Sequence, residues 1–144
     1  NSKDLYDVIV VDAFSAPGSV PYQLTTVEFV SSLNRHLGND GLVIVNLISA
    51  IVGPRGDFLR SLAATYAEIF PEVKVFQLDP AIQPKILQTL FIIASQERLD
   101  PSFTNEDPEI ALYLSGRWRK GFDKARILTD DFAPVDYFFA KAIY

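Results

Sequence analysis

The sequence predicts an α/β fold in which a mostly parallel sheet is flanked by helices. Two short, unbroken apolar runs, residues 8–11 and 42–48, are typical of buried strands in such a sheet, and segments with helical periodicity follow them. Two further strand-like segments cover residues 73–78 and 86–94. Only residues 79–85 separate them, whereas a parallel crossover needs about a dozen residues or more. We therefore expect about four strands, the last two forming an antiparallel hairpin that closes the sheet.

The first predicted strand carries the first candidate site residue. Residues 8–11 read Val-Ile-Val-Val, which is typical of a central strand covered on both faces. Asp12 follows this run, and the Pro and Gly residues of segment 13–21 predict a loop. Asp12 is therefore expected at the carboxyl end of a strand, where open parallel sheets bind ligands. A structural role as a helix cap or loop acceptor would explain the same residue.

The first two helices are predicted from apolar periodicity and from their end signals. Thr25 and Glu28 have the spacing of a capping box, so the first helix should begin there, and Gly38 or Gly41 can end it. The second helix should cover residues 58–70, since Pro71 follows them.

A third helix is predicted to begin at Asp107 and extend to Lys120. Asp107 is a suitable cap, and Pro108 and Glu109 suit the first helical turn. Residues 138–144 could form a short helix or a strand, of which we favour the helix.

The composition excludes several classes of function. The net charge of −5 argues against a nucleic-acid partner, because binding phosphates needs clustered Lys and Arg. With no Cys and one His, we expect no metal site and no Cys- or His-based hydrolase chemistry. No apolar stretch reaches the roughly 18 residues that cross a bilayer. We expect a single soluble, cytoplasmic domain.

Two other clusters have both a functional and a structural explanation. Asp130 and Asp131 could be paired carboxylates facing an amine, but an Asp before an Ala-Pro turn is also a common structural cap. Trp118 stands among Arg117, Arg119 and Lys120, which could form a cation–π surface or a patch for a partner. A single aromatic residue on a helix is more often part of the core.

Three motifs resemble the spermidine synthase family, which has a Rossmann-like, class I methyltransferase-type fold. Residues 6–15 (YDVIVVDAFS), with Leu24-Thr25 and Glu28-Phe29 after them, resemble the family's fourth strand and gate loop. Gly53-Pro54 before a helix that ends in ATYAEIFP is similar to the family's next helix, and residues 128–136 (LTDDFAPVD) look like its closing motif. The resemblance covers nearly the whole chain and matches the C-terminal half of the family's domain.

The resemblance implies transfer of an aminopropyl group from decarboxylated S-adenosylmethionine to a small cationic amine. Asp12 matches the acid that serves as the base, and Asp130 and Asp131 would be substrate-binding. The gate loop would include Pro17, Gly18, Leu24 and Thr25. A second acid of the family motif is replaced by Ser15, a candidate substrate-binding residue, which removes a negative charge from the place where a polyamine would bind.

Several expectations concern the chain as a whole. No glycine-rich loop follows a strand, so we expect residues 1–144 to form one domain without the cofactor-binding half, and to bind no cofactor and be inactive alone. Decarboxylated S-adenosylmethionine or S-adenosylmethionine is expected in a longer parent protein. A methyltransferase of the same fold and a non-catalytic assembly domain are the alternatives. The exposed edge of the first strand predicts a homodimer.

Overall fold

The computed structural model describes residues 5–14, 20–99, 104–122 and 125–143. Their four strands form one sheet of order β1-β2-β4-β3, comprising β1 (Tyr6–Phe14), β2 (Leu37–Ser49), β3 (Glu72–Gln77) and β4 (Gln88–Ser95). β1 and β2 are parallel, whereas β4 runs antiparallel to both β2 and β3. The predicted α/β fold with its antiparallel hairpin is confirmed. The hairpin closes the sheet by inserting its second strand next to β2.

Four α-helices accompany the sheet: α1 (Val27–Arg35), α2 (Asp57–Ala67), α3 (Pro108–Ser115) and α4 (Val135–Ile143). α1 begins one residue later than the capping-box spacing suggests, because the hydroxyl of Thr26 is the group that accepts from the amide of Phe29. Asp107 caps α3 as predicted, and its carboxylate accepts from two amides of the first turn. The favoured helix near the C-terminus is also present.

Three predicted helix ends are wrong, and the sheet explains two of them. α2 ends at Ala67, three residues before the predicted Phe70. α1 stops at Arg35 because Leu37 already pairs with Tyr6 of β1, so Gly38 and Gly41 lie inside β2. α3 stops at Ser115 because the residues after it bind to the edge of β3. The amide of Gln77 donates to the carbonyl of Gly116 over 2.8 Å, and the amide of Trp118 donates to that of Val75 over 2.8 Å.

The core lies on one face of the sheet. Val43, Val45 and Leu47 alternate along β2 with no exposed surface, and α1 and α2 pack against this face. Phe58 of α2 connects Phe14 of β1 with Phe139 of α4 through ring contacts of 5.9 and 5.0 Å. These contacts bury the first half of α2 and hold α4 near the carboxyl ends of β1 and β2.

The opposite face of the sheet is only partly covered, which corrects one prediction. β1 is an outer strand in the described chain, and its side chains Val8 and Val10 are 49% and 63% exposed. Residues 8–11 are therefore not covered on both faces. These two β-branched residues are therefore largely open to solvent at the edge expected to be bare.

Candidate functional site

The candidate site starts from Asp12, which lies near the carboxyl end of β1. Its side chain is exposed and points away from the core, since its neighbour Val11 is buried on the other face. The side-chain amide of Asn46 on β2 donates a hydrogen bond to Oδ1 of Asp12 over 2.9 Å. This bond fixes the carboxylate while leaving it open to solvent. Such a group can accept a proton or bind a cation.

Asn46 was not predicted as a site residue. A signal for it exists in the sequence, because it is the one polar residue in the apolar run 42–48. The strand register is also needed. Because Val11 pairs with Val45, the next residues, Asp12 and Asn46, are neighbours on adjacent strands. Without the register, the sequence does not show that these two polar side chains meet.

The start of α1 lies at the same edge of the sheet as Asp12, because α1 follows the carboxyl end of β1. Thr25 is fully buried, and its hydroxyl donates to the carbonyl of Tyr22 over 2.6 Å. Leu24 is partly buried against the core. Leu24 and Thr25, two residues of the predicted gate loop, are therefore held in place by burial and by this hydrogen bond. Ser15, Pro17 and Gly18 lie outside the described residues.

The segment with Asp130 and Asp131 folds against the start of α1. The two aspartates are the central residues of a tight turn, in which Thr129 and Phe132 exchange backbone hydrogen bonds of 3.1 and 2.9 Å. The amide of Asp130 donates to Oε2 of Glu28 over 3.1 Å, which ties the turn to α1. Both aspartate side chains are exposed.

A buried anchor precedes this turn. Leu128 has no exposed surface, and its amide donates to the hydroxyl of Thr65 on α2 over 2.9 Å. Its carbonyl accepts from the amide of Val27 over 2.8 Å. The turn is therefore held at the same edge as Asp12. Among the described residues, no hydrogen bond or ion pair joins Asp12 to Asp130 or Asp131.

A cavity of about 450 Å³ lies beside the turn, between the start of α2 and α4. Three cations line it, Arg60, Arg126 and Lys141, against one acid, Asp57. The pKa of Lys141 is raised, mainly by its interaction with Tyr137, so this side chain remains charged. A cavity with excess positive charge does not suit a cationic amine.

In the part of the chain that the structure describes, no cluster of three or more His, Cys, Asp or Glu side chains could hold a metal ion. None of the helices within these residues is long and apolar enough to span a bilayer. The sequence has no glycine-rich loop after a strand.

Comparison with known proteins gives two matches in sequence. No protein-family model matches the chain. A "Probable polyamine aminopropyl transferase" of Bifidobacterium longum is 35% identical over 69 residues, which are 48% of this chain and 15% of that protein. An "N-terminal histidine N-methyltransferase" of Emericella nidulans is 31% identical over 120 residues, which are 81% of this chain and 20% of that protein.

Two solved structures that match the chain are those of a probable spermidine synthase and a spermidine synthase. A probable spermidine synthase from Corynebacterium glutamicum ATCC 13032 aligns with a TM-score of 0.60 and 26% identity, over 94% of this chain and 45% of that one. A spermidine synthase in complex with the transition state analogue AdoDATO aligns with a TM-score of 0.54 and 19% identity, over 77% and 42% of the two chains. The chain thus spans less than half the length of each of these relatives.

The sheet order and these matches show that the chain has a class I methyltransferase fold and is similar in sequence and structure to spermidine synthase-like proteins.

Proposed function

We propose that the chain forms the acceptor side of a spermidine synthase-like transferase site, in which Asp12 accepts a proton from the attacking amine. The observation that carries this proposal is the exposed Asp12 carboxylate, held by the amide of Asn46 at the carboxyl ends of two parallel strands. This edge is where open α/β sheets bind their ligands. The aminopropyl transferase relative from Bifidobacterium longum supports the same chemistry.

The chemistry needs a nitrogen lone pair and a place for a proton. The amine nitrogen forms a bond to the transferred carbon while the bond from that carbon to sulfur breaks, and sulfur leaves as a neutral thioether. The nitrogen then carries an extra proton, which the Asp12 carboxylate accepts. Asp130 and Asp131 would hold a second, charged nitrogen of the substrate from the solvent side of their turn.

The donor of the transferred group must be held by residues other than those of this chain. Decarboxylated S-adenosylmethionine, or S-adenosylmethionine, would supply the group in a longer protein that adds a glycine-rich half. We propose that the 144-residue chain alone binds neither and is inactive. Calorimetric titration tests this, because a Kd tighter than about 1 mM for either compound would contradict it.

The test of the base compares two aspartates on one strand. In a longer protein that restores transfer, Asp12→Asn should lower kcat by about 100-fold or more, because the proton acceptor is lost. Asp7→Asn is the matched control, since Asp7 is exposed on the same strand about 17 Å away and the charge change is identical. Equal activity in the two variants would refute the assignment of Asp12.

A methyltransferase is the second candidate, and the match to the Emericella nidulans N-methyltransferase favours it. Asp12 could orient a nitrogen acceptor in either reaction. Ser15 discriminates between them, because it stands where the family motif has a second acid. If the chain serves a diamine, Ser15→Asp should lower KM for putrescine. If it serves a methyl transfer, the substitution should leave putrescine unused.

A non-catalytic assembly domain is the third possibility. It would be favoured if a longer protein with a complete donor site transferred neither group and was unaffected by Asp12→Asn. A cytoplasmic location stays a prediction from the sequence.

We also propose that the isolated chain forms a homodimer through the edge of β1. Val8 and Val10 expose apolar surface there, and the outer strand offers unpaired backbone groups to a second copy. Val10→Lys should convert the dimer to a monomer in size-exclusion light scattering. Leu112→Lys is the control, because Leu112 is similarly exposed, at 57%, on α3. A wild-type monomer at micromolar concentration would refute the dimer.

A further inference from the structure

A cluster of positively charged residues lies far from Asp12. A cavity of about 610 Å³ is bounded by α2, by β3 and by residues 117–122. β3 and β1 are the two outer strands of the sheet, so the cavity and Asp12 lie at opposite edges. The volume is within the range of about 300–1,000 Å³ that small-molecule sites occupy. The cavity is therefore large enough for a ligand that does not contact Asp12, and Arg60 also lines the cavity beside the turn of Asp130 and Asp131.

The described residues that line this cavity include no acid. They include five cations: Arg60, Lys74, Arg117, Arg119 and Lys120. Arg60 is paired with Asp57, and Lys74 with Glu72. Arg119 and Lys120, in contrast, have no ion-pair partner among the described residues, and both are exposed. The chain has a net charge of −5, so this concentration of positive charge is local rather than a property of the whole molecule.

The aromatic lining adds an apolar surface. Trp118 lines the cavity and is partly buried against the core. Lys120 lies over the ring, with Nζ 5.7 Å from its centre. Phe122 lines the same cavity and is 36% exposed. A ligand with an anionic group and an apolar part could therefore contact charge and ring together.

The wall that carries these groups is firmly held. The backbone of Trp118 is bonded to Val75 of β3, and that of Gly116 to Gln77. The opposite wall is one face of α2, formed by Arg60, Ala63, Ala64 and Ala67 at helical spacing. Three of these side chains are small, which leaves the space between helix and strand open. The cavity thus exists because the small alanine side chains of α2 face the positively charged residues 117–120.

We propose that this cavity binds a small organic anion that bears phosphate or carboxylate groups. Arg119 and Lys120 supply the charge that no described residue pairs with, and Trp118 supplies the ring. Guanidinium and ammonium groups form stronger hydrogen bonds to charged oxygens than to neutral ones, so a multivalent anion gains most from this site.

The protein contains its own reporter, because Trp118 is the single tryptophan of the sequence. We would titrate the chain with inorganic pyrophosphate and, separately, with citrate, at constant ionic strength, and follow tryptophan fluorescence. Saturable change with a Kd of about 1 mM or tighter is expected for at least one of them. The anion that binds with the lower Kd shows whether the cavity prefers phosphate or carboxylate groups.

Variants separate a built site from general charge attraction. Arg119→Gln with Lys120→Gln should weaken the binding by about tenfold or more. Arg35→Gln with Arg98→Gln is the matched control, because it removes the same charge from exposed positions that do not line the cavity. The control should bind like the wild type. The proposal is overturned if neither anion gives saturable change, or if both double variants weaken binding equally.

Discussion

The side-chain amide of Asn46 lies 2.9 Å from Oδ1 of Asp12, so the carboxylate on β1 is held by a side chain of the adjacent parallel strand. The carboxylate therefore has a defined orientation in the folded chain before any substrate binds. A base that is already oriented avoids part of the cost of ordering it during the reaction.

Asn46→Ala should lower kcat of the active, longer protein by about tenfold, while KM for the donor stays unchanged, because the carboxylate is present but no longer oriented. Steady-state kinetics with the amine acceptor measures this. Asn39→Ala is the control, since Asn39 is exposed near the start of the same strand. A rise in donor KM with unchanged kcat would mean that Asn46 does not position the base.

Thr65→Val should destabilise the chain by about 1–3 kcal/mol, because it leaves the buried amide of Leu128 without its acceptor while keeping the side chain's shape. Urea unfolding gives the free energy, and hydrogen exchange at Leu128 should accelerate selectively. Thr89→Val serves as the comparison, since Thr89 lies on the half-exposed face of β4. If Leu128 kept its protection, the hydroxyl would not be what anchors the turn.

Gly116→Ala should cost about 1–3 kcal/mol, because the added Cβ would collide with the backbone carbonyl of Gln77 on β3. The backbone at Gly116 is ordinary, with a φ of −71°, so the cost comes from contact alone. Tryptophan fluorescence should shift to longer wavelength as Trp118 leaves the sheet edge. Gly121→Ala should change neither quantity, because nothing lies within 4 Å of its added Cβ.

Tyr66 predicts how stability depends on alkaline pH. Burial raises the pKa of its phenol above the usual value, and the buried hydroxyl has no hydrogen-bond partner among the described residues. Above about pH 10 the unfolded state loses this proton while the folded state retains it, so the free energy of unfolding falls as pH rises. The Tyr66 phenol thus makes an increasingly unfavourable contribution to stability as the pH rises above that value.

Tyr66→Phe should remove this contribution. At neutral pH it should stabilise the chain by about 1 kcal/mol, because an unpaired buried hydroxyl is deleted. Above about pH 10 its advantage over the wild type should grow, by at most about 1.4 kcal/mol per pH unit. Urea unfolding at several pH values measures the difference. An advantage that is constant with pH would show that Tyr66 is not the group that titrates.

The elements that were predicted correctly are those in which local and tertiary preferences agree. Asp107 and Pro108 define the start of α3 from neighbouring residues alone, and the short connection of residues 79–85 permits only an antiparallel pair. The errors arise where distant residues decide. Gly38 was predicted to end α1, but pairing with β1 places it inside β2. Trp118 was predicted to lie in α3, but its backbone amide is hydrogen-bonded to Val75 of β3.

The candidate site was predicted only in part for the same reason. Asp12 could be proposed from its place after an apolar run, because strand ends can be read along the chain. Asn46 could not be proposed, because its contact with Asp12 depends on the register of two strands that are separated by a helix in the sequence. The position of Asp130 depends likewise on Glu28, about one hundred residues earlier in the chain.

The strand order also constrains how the chain can be synthesised and folded. β3 joins the sheet only through β4, which is the later of the two in the sequence. While a ribosome is still adding residues before Ser95, β2 therefore has an open edge and β3 has no partner in the sheet. The β3–β4 hairpin can form locally, but its docking onto β2 closes a long loop and is expected to be the slower event. During that interval the nascent chain exposes the apolar edge of β2, which is prone to aggregate. A chaperone that binds this edge would prevent the aggregation.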